Sequence, residues 1–506
     1  MNHRYILSLI FCLIQLSPMV CLAFETIPST QRIPISVHGV SGQLDIIESF
    51  LIAEEIDSQD LVKALRPQIN LQLKYLVGQI HGLEGGLELH LTKINELEKL
   101  ESLSNGLARY RYTATINAVL SSAWVLSSDE SLSLSLYLPK QVDELSLKAI
   151  YDRYSSDCIP NPHRSYADTN YWYYFRPQAY YCPLREQQQA SEQLISIDLI
   201  FTPHPKQTSE VYPRYDSMWS DGKLVVTSVY ALVGGLLGEQ GQEAYEMVFK
   251  DLVRTYGTPI EINNESLLNR AILDIDTPII EATFTTPKGP LEVHLFLINS
   301  LDKPSHYDGD ELTNFIDHYN ALTQVSDLVI YNGHARYGSD NTKLDAIGTS
   351  LAQHHQLFFV NTCASYTYGM PNSTQRVYEV NQEKTRPSDF LDLIVNAMPA
   401  MGHEIAYMNL RYINALVLAQ ESYQSILKDM YPKQQMLVLS SQDNDLKNDR
   451  VQSDPAQVEA ELRIAKGQSA SGCDAHKNSA CMPFYILLIL FLIVTRRAFL
   501  SELKES

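Results

Sequence analysis

Cys363 and His334 offer this chain a nucleophile and a proton acceptor. A thiol attacks a carbonyl as its thiolate, and a nearby imidazole can take the thiol proton and later protonate a leaving amine. Both residues follow short apolar runs. Residues 327–331 lead into Asn332-Gly333-His334-Ala335, and residues 357–360 lead into Asn361-Thr362-Cys363-Ala364-Ser365. Cys363 lies 29 residues after His334 (363 − 334). That interval holds one helix and the next strand, the unit that sets parallel strands side by side. Reactive groups of an open α/β sheet collect at the carboxyl ends of its strands, so adjacent parallel strands would bring the two residues to one edge. Gly333 lets backbone approach a substrate carbonyl, and the amides of Gly333 and Ala364 are candidate oxyanion donors. Arg336 and Asp340, just past His334, are candidates for a substrate pocket, although a solvated loop pair explains them equally well.

Cysteine usage separates Cys363 from the others. Of seven cysteines, Cys12 and Cys21 fall in an N-terminal stretch with the features of a secretory signal. Those features are Arg4, an apolar run at 6–16, Pro18, and Cys21-Leu22-Ala23 as a cleavage site. Cys158 and Cys182 bracket a tyrosine-rich segment, and Cys473 and Cys481 stand together near the end of the chain. Each pair is a candidate disulfide, which leaves Cys363 as the odd thiol of an exported protein. A buried, inert cysteine is the alternative.

The elements that must position the pair alternate. Strands are expected at 293–298, 327–331 and 357–360, and helices at 238–256 (with a stop at Gly257), 308–322, 342–351 and 388–398. Such alternation predicts an α/β fold with a mainly parallel sheet covered on both faces. Upstream, strands at 110–120 and 131–138 and a helix at 60–76 predict a separate β-containing N-terminal domain. The aromatic segment 170–181 reads as a cluster shielding a small core or as a binding surface.

The resulting organisation is a signal at 1–23, a β-containing domain at 24–215, and a connecting helical or extended region at 216–284. A catalytic domain at 285–432 follows, then a polar linker at 433–481 and an apolar segment at 482–500. That last segment carries Arg496-Arg497, which would put its end in the cytoplasm. With Gly472 it resembles bacterial sorting tails that are removed after export. A plain tail anchor fits as well. Either tail makes the membrane a partner and places the body in the cell envelope or at the cell surface. Acidic residues outnumber basic ones by 59 to 39, a net charge of −20, which repels nucleic acid.

An apolar strand ending in Gly-His, followed by an apolar strand ending in Cys, resembles the caspase–legumain–gingipain–clostripain superfamily of cysteine peptidases over about residues 285–432. The resemblance implies a caspase-like α/β sandwich, His334 as the catalytic histidine, Cys363 as the nucleophile, and a peptide or protein substrate cut after one chosen side chain. Some members transfer the acyl group to an amine instead. The usual motif has Gly after His, whereas here Gly333 precedes it and Ala335 follows. No cofactor is implied.

No metal set is expected. His403-Glu404 begins a zinc-peptidase pattern, but Tyr407 stands where the second ligand belongs. His354 and His355 read as loop residues. His163 with Cys158 and Cys182 fits no zinc spacing. Gly234-Gly235 lacks the Lys-Ser/Thr of a phosphate loop. The readings that remain are a cysteine endopeptidase, a transpeptidase of the same superfamily, and an inactive surface binding protein. The sequence does not fix an oligomeric state.

Overall fold

The computed structural model describes residues 34–439, with 28–29 and 451–452. Short internal stretches (53–60, 104–106, 126–130, 161–162, 167–169, 186–192, 206–209, 233, 236–237, 302–310, 348–352 and 382–389) fall outside the described residues. So do the signal at 1–23, most of the linker, the apolar segment at 482–500, and Cys473 and Cys481. Among the described residues no helix is long and apolar enough to cross a membrane.

Two sheets organise the chain. The first is antiparallel, from strands β1 (Gly39–Ile52), β2 (Gly86–Leu87), β3 (Lys93–Ser102), β4 (Ala108–Ser121), β5 (Leu132–Pro139) and β6 (Leu194–Pro203). Their order is β2-β4-β1-β6-β5, with β3 also on β4. Strand β6 alternates buried and exposed residues, as expected of a sheet with one wet face. Helix α1 (Leu61–Gly82) covers the other face with Leu65, Ile69, Leu73, Leu76 and Ile80, one stripe at helical spacing.

The second sheet has eight strands. These are β7 (Leu224–Ala231), β8 (Glu261–Ile262), β9 (Ile279–Thr285), β10 (Pro290–Ile298), β11 (Leu328–Asn332), β12 (Gln356–Asn361), β13 (Leu391–Asn396) and β14 (Met436–Leu439). They run β8-β9-β10-β7-β11-β12-β13-β14. The five strands from β10 to β13 are mutually parallel, and the flanking pairs are antiparallel. Every residue of β7, β11, β12 and β13 is buried, which explains their nearly continuous apolar runs. Helices α4 (Gln240–Tyr256) and α9 (Ile405–Leu418) pack on one face through Val248, Phe249, Leu252, Met408 and Tyr412. Helices α5 (Glu311–Thr323), α6 (Ser339–Ile347) and α8 (Pro371–Val380) cover the other through Phe315, Tyr319, Leu344 and Val377. The chain is thus α/β, with a mixed sheet whose centre is parallel.

Three expectations change. The stretch 388–398 is not a helix, because Leu391–Asn396 is the buried strand β13 between β12 and β14. The span 216–284 is not a connector, since it supplies β7, β8 and β9, and the sheet runs from residue 224 to 439, beyond the limits 285–432. Nor is the N-terminal sheet set apart, for its apolar core takes in Ala335, Ala364 and Tyr368 from the carboxyl edge of the large sheet. The stop at Gly257 is as expected. It closes α4 at φ 83°, donating its N–H to the Val253 carbonyl at 2.9 Å.

Candidate functional site

Strands β11 and β12 are adjacent and parallel, in a register that sets Asn332 opposite Asn361. His334 and Cys363 each stand two residues beyond that matched pair, so both leave the same edge of the sheet. The connections from β7 and β11 depart to opposite sides of the sheet order, and a crevice at such a switch point is where open α/β sheets bind ligands.

A row of buried asparagines closes that edge. Asn396, at the end of β13, donates through Nδ2 to Asn361 Oδ1 (3.0 Å) and to the Thr362 carbonyl (3.1 Å). Asn361 Nδ2 donates to Asn332 Oδ1 (3.0 Å), and Asn332 Nδ2 lies 3.4 Å from Ser228 Oγ. Ser365 Oγ donates to the Val360 carbonyl and accepts from the Asn396 amide, both at 2.8 Å. Thr362 Oγ1 donates to Asn341 Oδ1 at 2.9 Å. Sequence reasoning missed this network, although Asn ends each of the three strands after an apolar run.

Both loops carry strained backbone. Six non-glycine residues have positive φ among the described residues, and three adjoin the pair: Arg336 (44°), Tyr337 (56°) and Ala364 (51°). Such strain persists where surrounding structure holds it, and it gathers at functional sites. Ala364 turns the chain sharply from β12 into the short helix α7 (Ser365–Tyr368).

Cys363 is a partly exposed free thiol and His334 is exposed. Burial of the sulfur by its surroundings pushes the thiol up, against backbone N–H groups of Ala400 and of Cys363 itself. Crowding by the protein lowers the His334 imidazole, and the Arg336 charge lowers it further. At neutral pH both groups are therefore uncharged, which suits a base that removes a thiol proton on demand rather than a preformed ion pair. The two side chains share no hydrogen bond.

The residues expected to support them have other partners. The Ala364 N–H donates to the Met398 carbonyl at 3.1 Å, and the Gly333 N–H makes a long 3.5 Å contact to the Asn361 carbonyl. Both amides hold strand ends together rather than wait for an oxyanion. Arg336 Nε reaches Asp340 Oδ2 at 3.2 Å, and Asp340 is buried, so this pair braces the His334 loop. His403 is exposed beside Glu404, His354 pairs with Asp327, and His355 with Asp392. Among the described residues no His, Cys, Asp and Glu group could hold a metal.

The roof of the site comes from the N-terminal layer. Cys158, at the end of helix α2 (Glu144–Cys158), lies at disulfide distance from Cys182, with Cα atoms 4.6 Å apart, and between them runs α3 (Tyr171–Tyr174). Tyr171, Trp172, Tyr173 and Phe175 are buried, so this part of the segment is core, whereas Tyr180 is exposed. Its backbone lies directly on α1, where a Cβ at Gly78 would meet the Phe175 nitrogen and the Trp172 carbonyl at 2.8 Å. Tyr173 packs edge-on against Tyr337 of the His334 loop, ring centres 5.4 Å apart, and Tyr174 Oη bonds Tyr337 Oη at 2.9 Å. Cys363 and Tyr337 pack against this same core.

No protein-family model matches the chain, and no curated protein matches it.

Proposed function

We propose that this protein is a caspase-like cysteine endopeptidase, exported and held at the cell envelope, with Cys363 as nucleophile and His334 as its base. The observation that carries the reading is the matched register of β11 and β12, which brings an imidazole and a free thiol to one edge on strained loops. In the proposed reaction His334 takes the thiol proton as sulfur attacks the peptide carbonyl. The imidazolium then gives that proton to the leaving amine, and water releases the acyl group from sulfur. Export is supported by the signal-like N-terminus and by Cys158 and Cys182 at bonding distance.

One observation favours the non-catalytic reading. The Gly333 and Ala364 amides are already bonded, so an oxyanion would need other donors. A peptidyl electrophile separates the two. The peptidase forms an adduct at Cys363 faster than an unstructured thiol does, and His334→Ala slows it. Labelling no faster than a free thiol, and indifferent to His334, leaves the binding protein.

A further inference from the structure

His334 stands between two anchors. Before it, Asn332 accepts from Asn361 Nδ2 at 3.0 Å. After it, Ala335 is buried in the core of the N-terminal layer, and the turn that follows is closed by the Gly338 N–H on the Ala335 carbonyl at 2.8 Å. Inside that turn Arg336 and Tyr337 both have left-handed backbone, which a residue with a side chain keeps only where its surroundings hold it. For Tyr337 the surroundings are the roof. Its ring meets Tyr173 edge-on at 5.4 Å and lies 6.2 Å from both Trp172 and Tyr174, and its hydroxyl bonds the Tyr174 hydroxyl at 2.9 Å. The imidazole is exposed, and among the described residues no hydrogen bond orients it. The base of a nucleophile–base pair is ordinarily turned by a third side chain. Here its place is set through the backbone on either side.

We propose that Tyr174 and Tyr337 are positioning residues: the hydrogen bond between their hydroxyls ties the His334 loop to the N-terminal layer and holds the imidazole where it can take the Cys363 proton. Both act through residue 334 and neither touches the reacting atoms. The bond joins residues 163 apart in sequence, so it exists only when the two layers are docked. That gives the N-terminal layer a part in the reaction beyond covering the sheet edge. The inference rests on His334 serving Cys363 as its base, and its test keeps the two claims apart.

The test is a double-mutant cycle in the full chain, read as the rate of Cys363 alkylation by iodoacetamide at neutral pH. Tyr174→Phe and Tyr337→Phe each keep the ring and remove one partner of the bond. Either side can be removed on its own, so one variant that fails to fold leaves the other to decide. A hydrogen bond between neutral groups contributes a factor of about three to ten. Each change should slow alkylation by about that factor where His334 is present, and should leave the rate unchanged in a His334→Ala background. The double phenylalanine variant should be about as slow as either single one, since both changes break the same bond. Tyr171→Phe removes a hydroxyl of the same helix whose ring meets Tyr75, Tyr151 and Phe175, and should have no effect in either background. Rates that change equally with and without His334, that stay the same, or that rise overturn the proposal, as does an equal slowing by Tyr171→Phe. If His334→Ala by itself does not slow alkylation, the pairing of His334 with Cys363 fails and the positioning role falls with it. If His334→Ala slows it but neither tyrosine change does, the positioning role alone is lost.

Discussion

Asn361 binds Asn332 side chain to side chain, Nδ2 to Oδ1 at 3.0 Å, and so ties together the ends of the two strands that deliver Cys363 and His334. The same Asn361 carboxamide oxygen accepts from Asn396 at 3.0 Å. One buried amide thus fixes the spacing of three strand ends.

Replacing it should therefore loosen the site as well as the fold. Asn361→Ala leaves the Asn332 carboxamide oxygen without its donor and takes one of two acceptors from Asn396 Nδ2, and a buried group left without a partner costs about 1–3 kcal/mol. Denaturant unfolding should show a loss of at least about 2 kcal/mol, and Cys363 alkylation should lose its dependence on His334. Unchanged stability would mean that the ladder is not strained tight.

The roof should depend on the covalent link beneath it. Cys158 and Cys182 enclose a sequence separation of 24, and a link of that size stabilises by about 3 kcal/mol in the chain-entropy model. The Cys158→Ser/Cys182→Ser double variant should unfold more easily by that order and expose Cys363 to larger alkylating reagents. Peptide mapping without reductant should find the two cysteines joined.

Gly78 offers a milder way to lift the roof. A methyl group there collides with backbone of Trp172 and Phe175, and overpacking of this kind costs about 1–3 kcal/mol. Gly78→Ala should lower thermal stability and speed Cys363 alkylation by bulky reagents more than by iodoacetamide. Equal acceleration of both would point to general unfolding instead.

The pH dependence has a defined sign. His334 is held below its ordinary value of 6.5, first by desolvation and then by Arg336. As a base it works only when neutral, so activity should persist below pH 6.5 and fall as the imidazole is protonated at lower pH. Arg336→Gln removes the second cause and should move that acid limb upward, toward 6.5. In kcat/KM profiles, an acid limb indifferent to Arg336 would contradict this. Away from the site, Glu281 is held well below its ordinary value of 4.5 by hydrogen bonds from His294 and then His318. A depressed carboxylate contributes stability above its unfolded pKa and loses it as pH falls. Glu281→Gln should thus flatten the decline of Tm below about pH 4.5.

The strand ends that carry His334 and Cys363 were legible because each follows an apolar run too short for a helix and ends in a polar turn. Residues 327–331 and 357–360 are within a residue or two of β11 and β12. It misled at 388–398, where a short apolar run reads equally as buried strand or helix, and the burial of Leu391 to Asn396 between two strands decides it. Strand β7 was hidden because Thr227 and Ser228 interrupt its apolar run, and because its neighbour β11 lies about a hundred residues on. The first half of the aromatic segment was legible as core. Its place over Cys363 was not, since Tyr173 and Cys363 are 190 residues apart (363 − 173) and only the folded chain joins them.

Cys363 is proposed to cut peptide bonds with His334 as its base. The most direct test is to incubate the purified protein, beside Cys363→Ala, with a diverse peptide library and read the products by mass spectrometry. The native protein should cleave after a restricted set of side chains, and Cys363→Ala, with its fold intact, should not cleave at all. Products of equal yield from both proteins, or no cleavage by a native protein whose Cys363 is free and alkylatable, would contradict it.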